Sequence, residues 1–216
     1  SHNVFLNFLN QIFKLNKKSI YLSNILKLIL RIKRINLNNY WWVINSQLNH
    51  PLNNINISNL HFYEKFVRGK LLYALSIENP EDFLYSYQAE NRSITEQVLN
   101  ITQQEALSIK HFLAQNIKEE NRWYKYDFVR DNCTTRLRDI LVKYKNIKPQ
   151  LPPVMPLDFT FRNAIHHYLN ANKNYWSKLG IDLLLGSRMD VKMTAAGQEF
   201  LPDNLMYALD RTKNFT

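Results

Sequence analysis

Only four glycines serve a chain of 216 residues, and the first of them is Gly69. Tight β-hairpins and phosphate-cradling loops both draw on glycine, whose backbone enters conformations closed to other residues. An all-β fold built from such hairpins is therefore excluded, and so is a glycine-rich nucleotide loop in the first third of the chain. The length suits one domain of ordinary size with a real core. Apolar residues make up 45% and aromatics 13% of the chain, too many for a disordered one. Cys133 is the only cysteine, which rules out an intramolecular disulfide and a multi-cysteine zinc site. No metal and no cofactor is expected.

Charge is spread unevenly. Residues 1–63 hold no Asp or Glu, yet carry Lys14, Lys17, Lys18, Lys27, Arg31, Lys33 and Arg34. The rest of the chain is close to balanced, so most of the net +10 belongs to this arm. A basic, acid-free segment suits an anionic partner such as a phospholipid surface or an acidic protein. Within it, residues 19–35 place Ile25, Leu28, Ile29 and Ile32 at helical spacing, with Lys27, Arg31, Lys33 and Arg34 among the polar positions. That spacing predicts an amphipathic helix, lying in a membrane interface or packed on the domain. No uncharged apolar run is long enough to span a bilayer. No base-stacking or zinc motif accompanies the basic arm, so nucleic acid is not an expected partner.

Further along, residues 40–44 read as a short strand by their aromatic and β-branched content. Residues 62–77 carry apolar positions that fit helix or strand, and Asn79-Pro80-Glu81-Asp82 opens a turn and a short helix. Ser93 with Glu96, and Thr102 with Glu105, are capping boxes, the second opening a helix over about 103–116. A strand or extended approach is predicted over 123–129 and a helix over about 133–144. A proline-rich connector spans 149–156; a helix follows to Leu169, then an apolar run over 179–185 and a last helix from Pro202. The expected class is α+β, mostly helical with a small sheet. Residues 1–60 form the basic arm and 61–216 the domain.

One stretch, Tyr124-Lys125-Tyr126-Asp127-Phe128-Val129-Arg130-Asp131-Asn132-Cys133-Thr134-Thr135-Arg136, concentrates the chemistry. Asn132 is a good N-cap, which puts Cys133 in the first turn of a helix. The positive end of the helix favours an anion there, so the expectation is a lowered thiol pKa and a nucleophilic thiolate. Arg136, one turn on, would add positive potential or bind an anionic group. Arg92 and Arg68 are further candidates for an anionic headgroup, with ion pairs Arg92–Glu96 and Arg138–Asp139 as their structural alternatives. Asp182, set among Ile181 and Leu183–Leu185, needs a partner, and an arginine is the expected one.

The stretch 126–139 resembles the signature of the Lnb N-terminal periplasmic domain family. The likeness extends upstream through Phe66-Val67-Arg68-Gly69-Lys70 and Glu90-Asn91-Arg92-Ser93. Downstream it runs through Thr160-Phe161-Arg162, Gly180-Ile181-Asp182 and Phe200-Leu201-Pro202. The resemblance implies a permuted, NlpC-type papain-like domain of the bacterial periplasm, similar to lipoprotein N-acyltransferase. It implies that Cys133 takes an acyl group from phospholipid as a thioester and passes it to a lipoprotein amine. Asn132, Arg136 and Arg92 would contact substrate, and a histidine ahead of the cysteine would be the base. The family's early Gly-His pair has no counterpart, since no glycine precedes Gly69; His2 and His50 are the candidates left in its place. His61, His111, His166 and His167 read as structural or solvated. The alternative function is an envelope domain without acyl-transfer activity that binds membrane or protein partners through the basic arm.

Overall fold

The computed structural model describes residues 31–32, 41–45, 65, 68, 70–78, 80–89, 97–171 and 175–215. In chain order these form β1 (Arg31–Ile32), β2 (Trp41–Asn45), β3 (Leu72–Glu78), α1 (Pro80–Ala89) and β4 (Val98–Leu99). Then come α2 (Gln103–Asn116), β5 (Trp123–Lys125), α3 (Cys133–Tyr144), α4 (Phe161–Ala171) and α5 (Tyr175–Leu185). A 3-10 turn over Gly186–Met189, α6 (Ala195–Gln198) and α7 (Pro202–Asp210) complete the order. The class is α+β, as the sequence predicts.

The main sheet is antiparallel, in the order β2-β3-β5. Trp41 stands opposite Glu78 and Asn45 opposite Ala74, while Tyr73 stands opposite Tyr124. The strand expected over 40–44 is thus β2, and it binds the domain's sheet although it comes from the acid-free stretch. A second, two-stranded pairing sets β1 parallel to β4, with Arg31 opposite Val98 and Ile32 opposite Leu99. This corrects the helix expected over 19–35 at its C-terminal end: Arg31 and Ile32 are extended. Their backbone groups pair with a strand distant in sequence, and such pairing overrides a local helical period. The rest of that expected helix lies outside the described residues.

Capping explains the two central helices. The Thr102 hydroxyl accepts from the Glu105 backbone N–H at 3.3 Å, and Glu105 Oε2 accepts from the Thr102 N–H at 2.9 Å. Glu105 also accepts from the Asn146 N–H at 2.8 Å and from Lys145 Nζ at 3.2 Å. One buried carboxylate therefore closes the start of α2 and bonds it to the end of α3. A core of Leu75, Ile109, Leu113, Leu137, Ile140, Leu141, Leu205 and Leu209 seats α2, α3 and α7 against β3. A second core joins Val129 and Phe161 to Ile165, Ile181, Met193 and Phe200.

The proline-rich connector is held by one buried side chain. Gln198 Oε1 accepts from the Val154 and Met155 N–H groups at 2.9 and 2.8 Å, and Gln198 Nε2 donates to the Met155 carbonyl at 2.9 Å. Asp182 has the arginine partner its sequence context demands. Arg162 donates to Asp182, to Asp190 at 2.6 Å and to the Gly186 carbonyl at 2.6 Å, and His166 Nε2 meets Asp182 Oδ1 at 2.7 Å. These contacts tie α4 to α5 and to the turn that follows it. Gly186, at φ +58°, ends α5 in the left-handed region that only glycine enters freely.

Candidate functional site

The loop before α3 is built to deliver Cys133. Asp127 and Asp131 exchange both backbone hydrogen bonds at 3.0 Å. Asp127 Oδ1 accepts from the Val129 and Arg130 N–H groups at 3.1 and 3.0 Å, which closes the turn between them. Asn132 then caps α3: its Oδ1 accepts from the Thr135 N–H at 2.9 Å, and the Asn132 N–H donates to Thr135 Oγ1 at 2.9 Å. Asn132 Nδ2 donates to the carbonyls of Phe128 and Phe200 at 2.8 and 3.0 Å. Both amide protons are committed inside the fold, and Asn132 is 4% exposed. The side chain expected to touch substrate is placed here as the lock of the helix start.

Cys133 occupies the first position of α3, as the sequence predicts, and is 8% exposed. Its Sγ lies 3.8 Å from Thr134 Oγ1. The expected lowering of its pKa is overturned: burial pushes the thiol up to about 12, and the Thr134 and backbone hydrogen bonds offset only part of that. A helix end stabilises a thiolate by its partial charge, while loss of water penalises the same ion more heavily. Asp131 does not add to this, because its carboxylate is turned to Arg136.

Three tyrosines, two of them in the stretch that the sequence singles out, lie near enough to the thiol to feel its charge. Tyr73 from β3, Tyr124 from β5 and Tyr126 just beyond it are all buried. Tyr73 and Tyr126 stack with ring centroids 4.0 Å apart, and Tyr124 lies 6.1 Å from Tyr73. Burial raises all three phenols above their ordinary range, and a charge on Cys133 adds to the effect. These phenols hold their protons at neutral pH, so none of them serves as a base for the thiol. The alternating aromatics over 123–129 were the available signal for Tyr124 and Tyr126; Tyr73 reaches the site only through the cross-strand pairing.

Arg136 Nε and Nη2 grip Asp131 at 2.6 and 2.8 Å, and its guanidinium lies 3.6 Å from the centre of the Tyr124 ring. The same two residues line a cleft of about 450 Å³ with Leu75, Phe112, Leu113 and Ile140. Arg130 and Lys143 also border it, so apolar walls and cations meet in one space. Cys133 is not among its lining residues. The Tyr124 hydroxyl is buried without a hydrogen-bond partner among the described residues.

The other candidates separate from this site. Arg92, His2, His50 and His61 lie outside the described residues. His111 is exposed on α2, and His166 is bound to Asp182 on α4. Among the described residues no histidine is hydrogen-bonded to Cys133, and no cluster of three metal-ligating side chains exists. Arg138 pairs with Asp139 at 2.7 Å, the structural alternative foreseen for it, and donates to the Ala196 carbonyl at 2.6 Å.

A capped helix that carries a buried cysteine against a small antiparallel sheet defines an α+β thiol domain. A family model described as the Lnb N-terminal periplasmic domain matches residues 44–166, more than half of the chain, and the chain belongs to that family. The family's place is the periplasm. Neither a curated protein nor a solved structure matches the chain. Among the described residues no helix is long and apolar enough to cross a membrane.

Proposed function

We propose that this domain transfers acyl groups through Cys133. The observation that carries the reading is the family's cysteine standing at the first position of a capped helix that packs on an antiparallel sheet. The proposal takes this helix and sheet as the permuted papain-like arrangement that the family resemblance implies. In the reaction, the Cys133 sulfur attacks an ester carbonyl of a phospholipid. The C–S bond forms, the C–O bond breaks, and the lysophospholipid oxygen takes up a proton. A lipoprotein amine then attacks the thioester: the C–N bond forms, the C–S bond breaks, and the sulfur takes up the proton the amine loses.

A thiol held this high needs a base at the moment of reaction. In the permuted order the base precedes the cysteine, and of the two candidates, His2 and His50, His50 falls in the stretch that the family model matches. Acyl-chain-labelled phosphatidylglycerol tests the reading. Label should move to the protein, be released by neutral hydroxylamine, and be absent from Cys133→Ala.

The second reading is an envelope domain that binds its partners without acyl transfer. The buried, proton-holding thiol is the observation in its favour. It predicts no labelling by any acyl donor, with Cys133→Ala behaving as the native chain does in partner capture.

A further inference from the structure

Helix α5 has two apolar faces, and the fold uses one. Ile181 is buried in the second core. On the opposite side Tyr175, Trp176, Leu179 and Leu183 are 62%, 67%, 42% and 56% exposed. Their spacing of one, three and four residues gathers them on a single stripe about 100° wide. Scattered exposed leucines are ordinary, but four large apolar side chains in one row mark a surface that meets something.

Charge and area decide what it meets. The acid of α5, Asp182, is spent on Arg162 and His166. Lys178 on the same helix stays at the rim, its Nζ on the Asn170 side-chain oxygen at 3.2 Å. The stripe thus borders a cation and no uncompensated carboxylate of its own helix, which suits an anionic surface. It exposes roughly 500 Å² of apolar side chain, short of the ~800 Å² that each partner buries in a stable dimer. Tyr and Trp beside leucines also match the side chains that settle at a lipid–water boundary.

We propose that the Tyr175–Trp176–Leu179–Leu183 stripe of α5 docks the domain on an anionic phospholipid bilayer, lying flat in its interface. The docking needs neither Cys133 nor acyl transfer. It is also distinct from binding by the basic arm, which holds none of these residues.

Co-sedimentation of the full chain with vesicles of phosphatidylethanolamine and phosphatidylglycerol tests it. Three variants are compared with the native chain: Leu179→Asp with Leu183→Asp, Trp176→Ala alone, and Tyr85→Asp, an exposed site on α1. The double variant should lose at least tenfold in partitioning and W176A several-fold, with Y85D unchanged. Equal binding by all four proteins overturns the proposal. So does a native dimer in sedimentation velocity that the double variant dissolves while vesicle binding stays constant, for the stripe then serves a second copy.

Discussion

Asn132 donates its side-chain N–H to the Phe200 carbonyl at 3.0 Å, across 68 residues of sequence. The residue that starts the cysteine helix is thereby fastened to the segment between α6 and α7. The position of Cys133 depends on the last quarter of the chain as well as on its own loop.

Replacing Asn132 with Ala removes the cap and the two donations to the Phe128 and Phe200 carbonyls. The expected loss is about 2–3 kcal/mol. In thermal unfolding that appears as a drop of roughly 5–10 °C for a chain of this size. Asn132→Asp keeps the cap acceptor but not the two donations, and should fall no less. An unchanged melting temperature for N132A would show that the lock contributes nothing.

The resting thiol should be sluggish. With Cys133 pushed up to about 12, iodoacetamide alkylation at pH 7 should be slow. Its rate should climb close to tenfold per pH unit through pH 9 without levelling. A plateau reached between pH 6 and 7 would reveal a thiolate held by an imidazole in the resting state.

Glu199 gives the fold a pH dependence of its own. It is fully buried, and burial pushes its carboxyl up to about 7 against the partial relief of Arg138, whose Nε is 3.8 Å away. The folded chain therefore holds a proton that the unfolded chain releases near pH 4.5. This contribution to stability is fully present below pH 4.5 and is lost as pH rises to about 7, a span on the order of 3 kcal/mol. Urea titrations from pH 4.5 to 8 should show that decline. Glu199→Gln should flatten it and be the more stable protein at pH 8; an unaltered slope would contradict the assignment.

Arg162→Ala should loosen α4 from α5, because Asp182 and the Gly186 carbonyl lose their donor while half-buried. A loss of about 1–3 kcal/mol is expected from those two contacts. Amide exchange over α5 should quicken more than over α2, which is bonded elsewhere. Uniform exchange across both helices would mean that the arginine is not a local tie.

Local chemistry made much of this readable in the sequence. The α3 start follows from Asn132, and the α2 start from Thr102 with Glu105 three positions on. Asp182 announced its need of an arginine by standing among leucines, although which arginine depended on the packing of α4. What stayed hidden is nonlocal. Arg31 and Ile32 look helical until β4 pairs with them. Cys133 looks activated until the packed fold buries it and takes away its water. Asn132 and Arg136 looked available to substrate, yet Phe128, Phe200 and Asp131 take up their donors.

The histidines ahead of the cysteine can be sorted by acylation. Under the proposed function, loss of the base lowers Cys133 labelling by at least a hundredfold. His2→Ala or His50→Ala should do this, while His111→Ala and His166→Ala should not. If all four label like the native chain, the base is not one of them.

The most direct measurement is the intact mass of the full chain after incubation with phosphatidylglycerol vesicles. The account predicts a gain equal to one acyl group, mapped by peptide analysis to Cys133, reversed by hydroxylamine and absent from Cys133→Ala. An unchanged mass, with Cys133 still open to alkylation once the chain is unfolded, would contradict it.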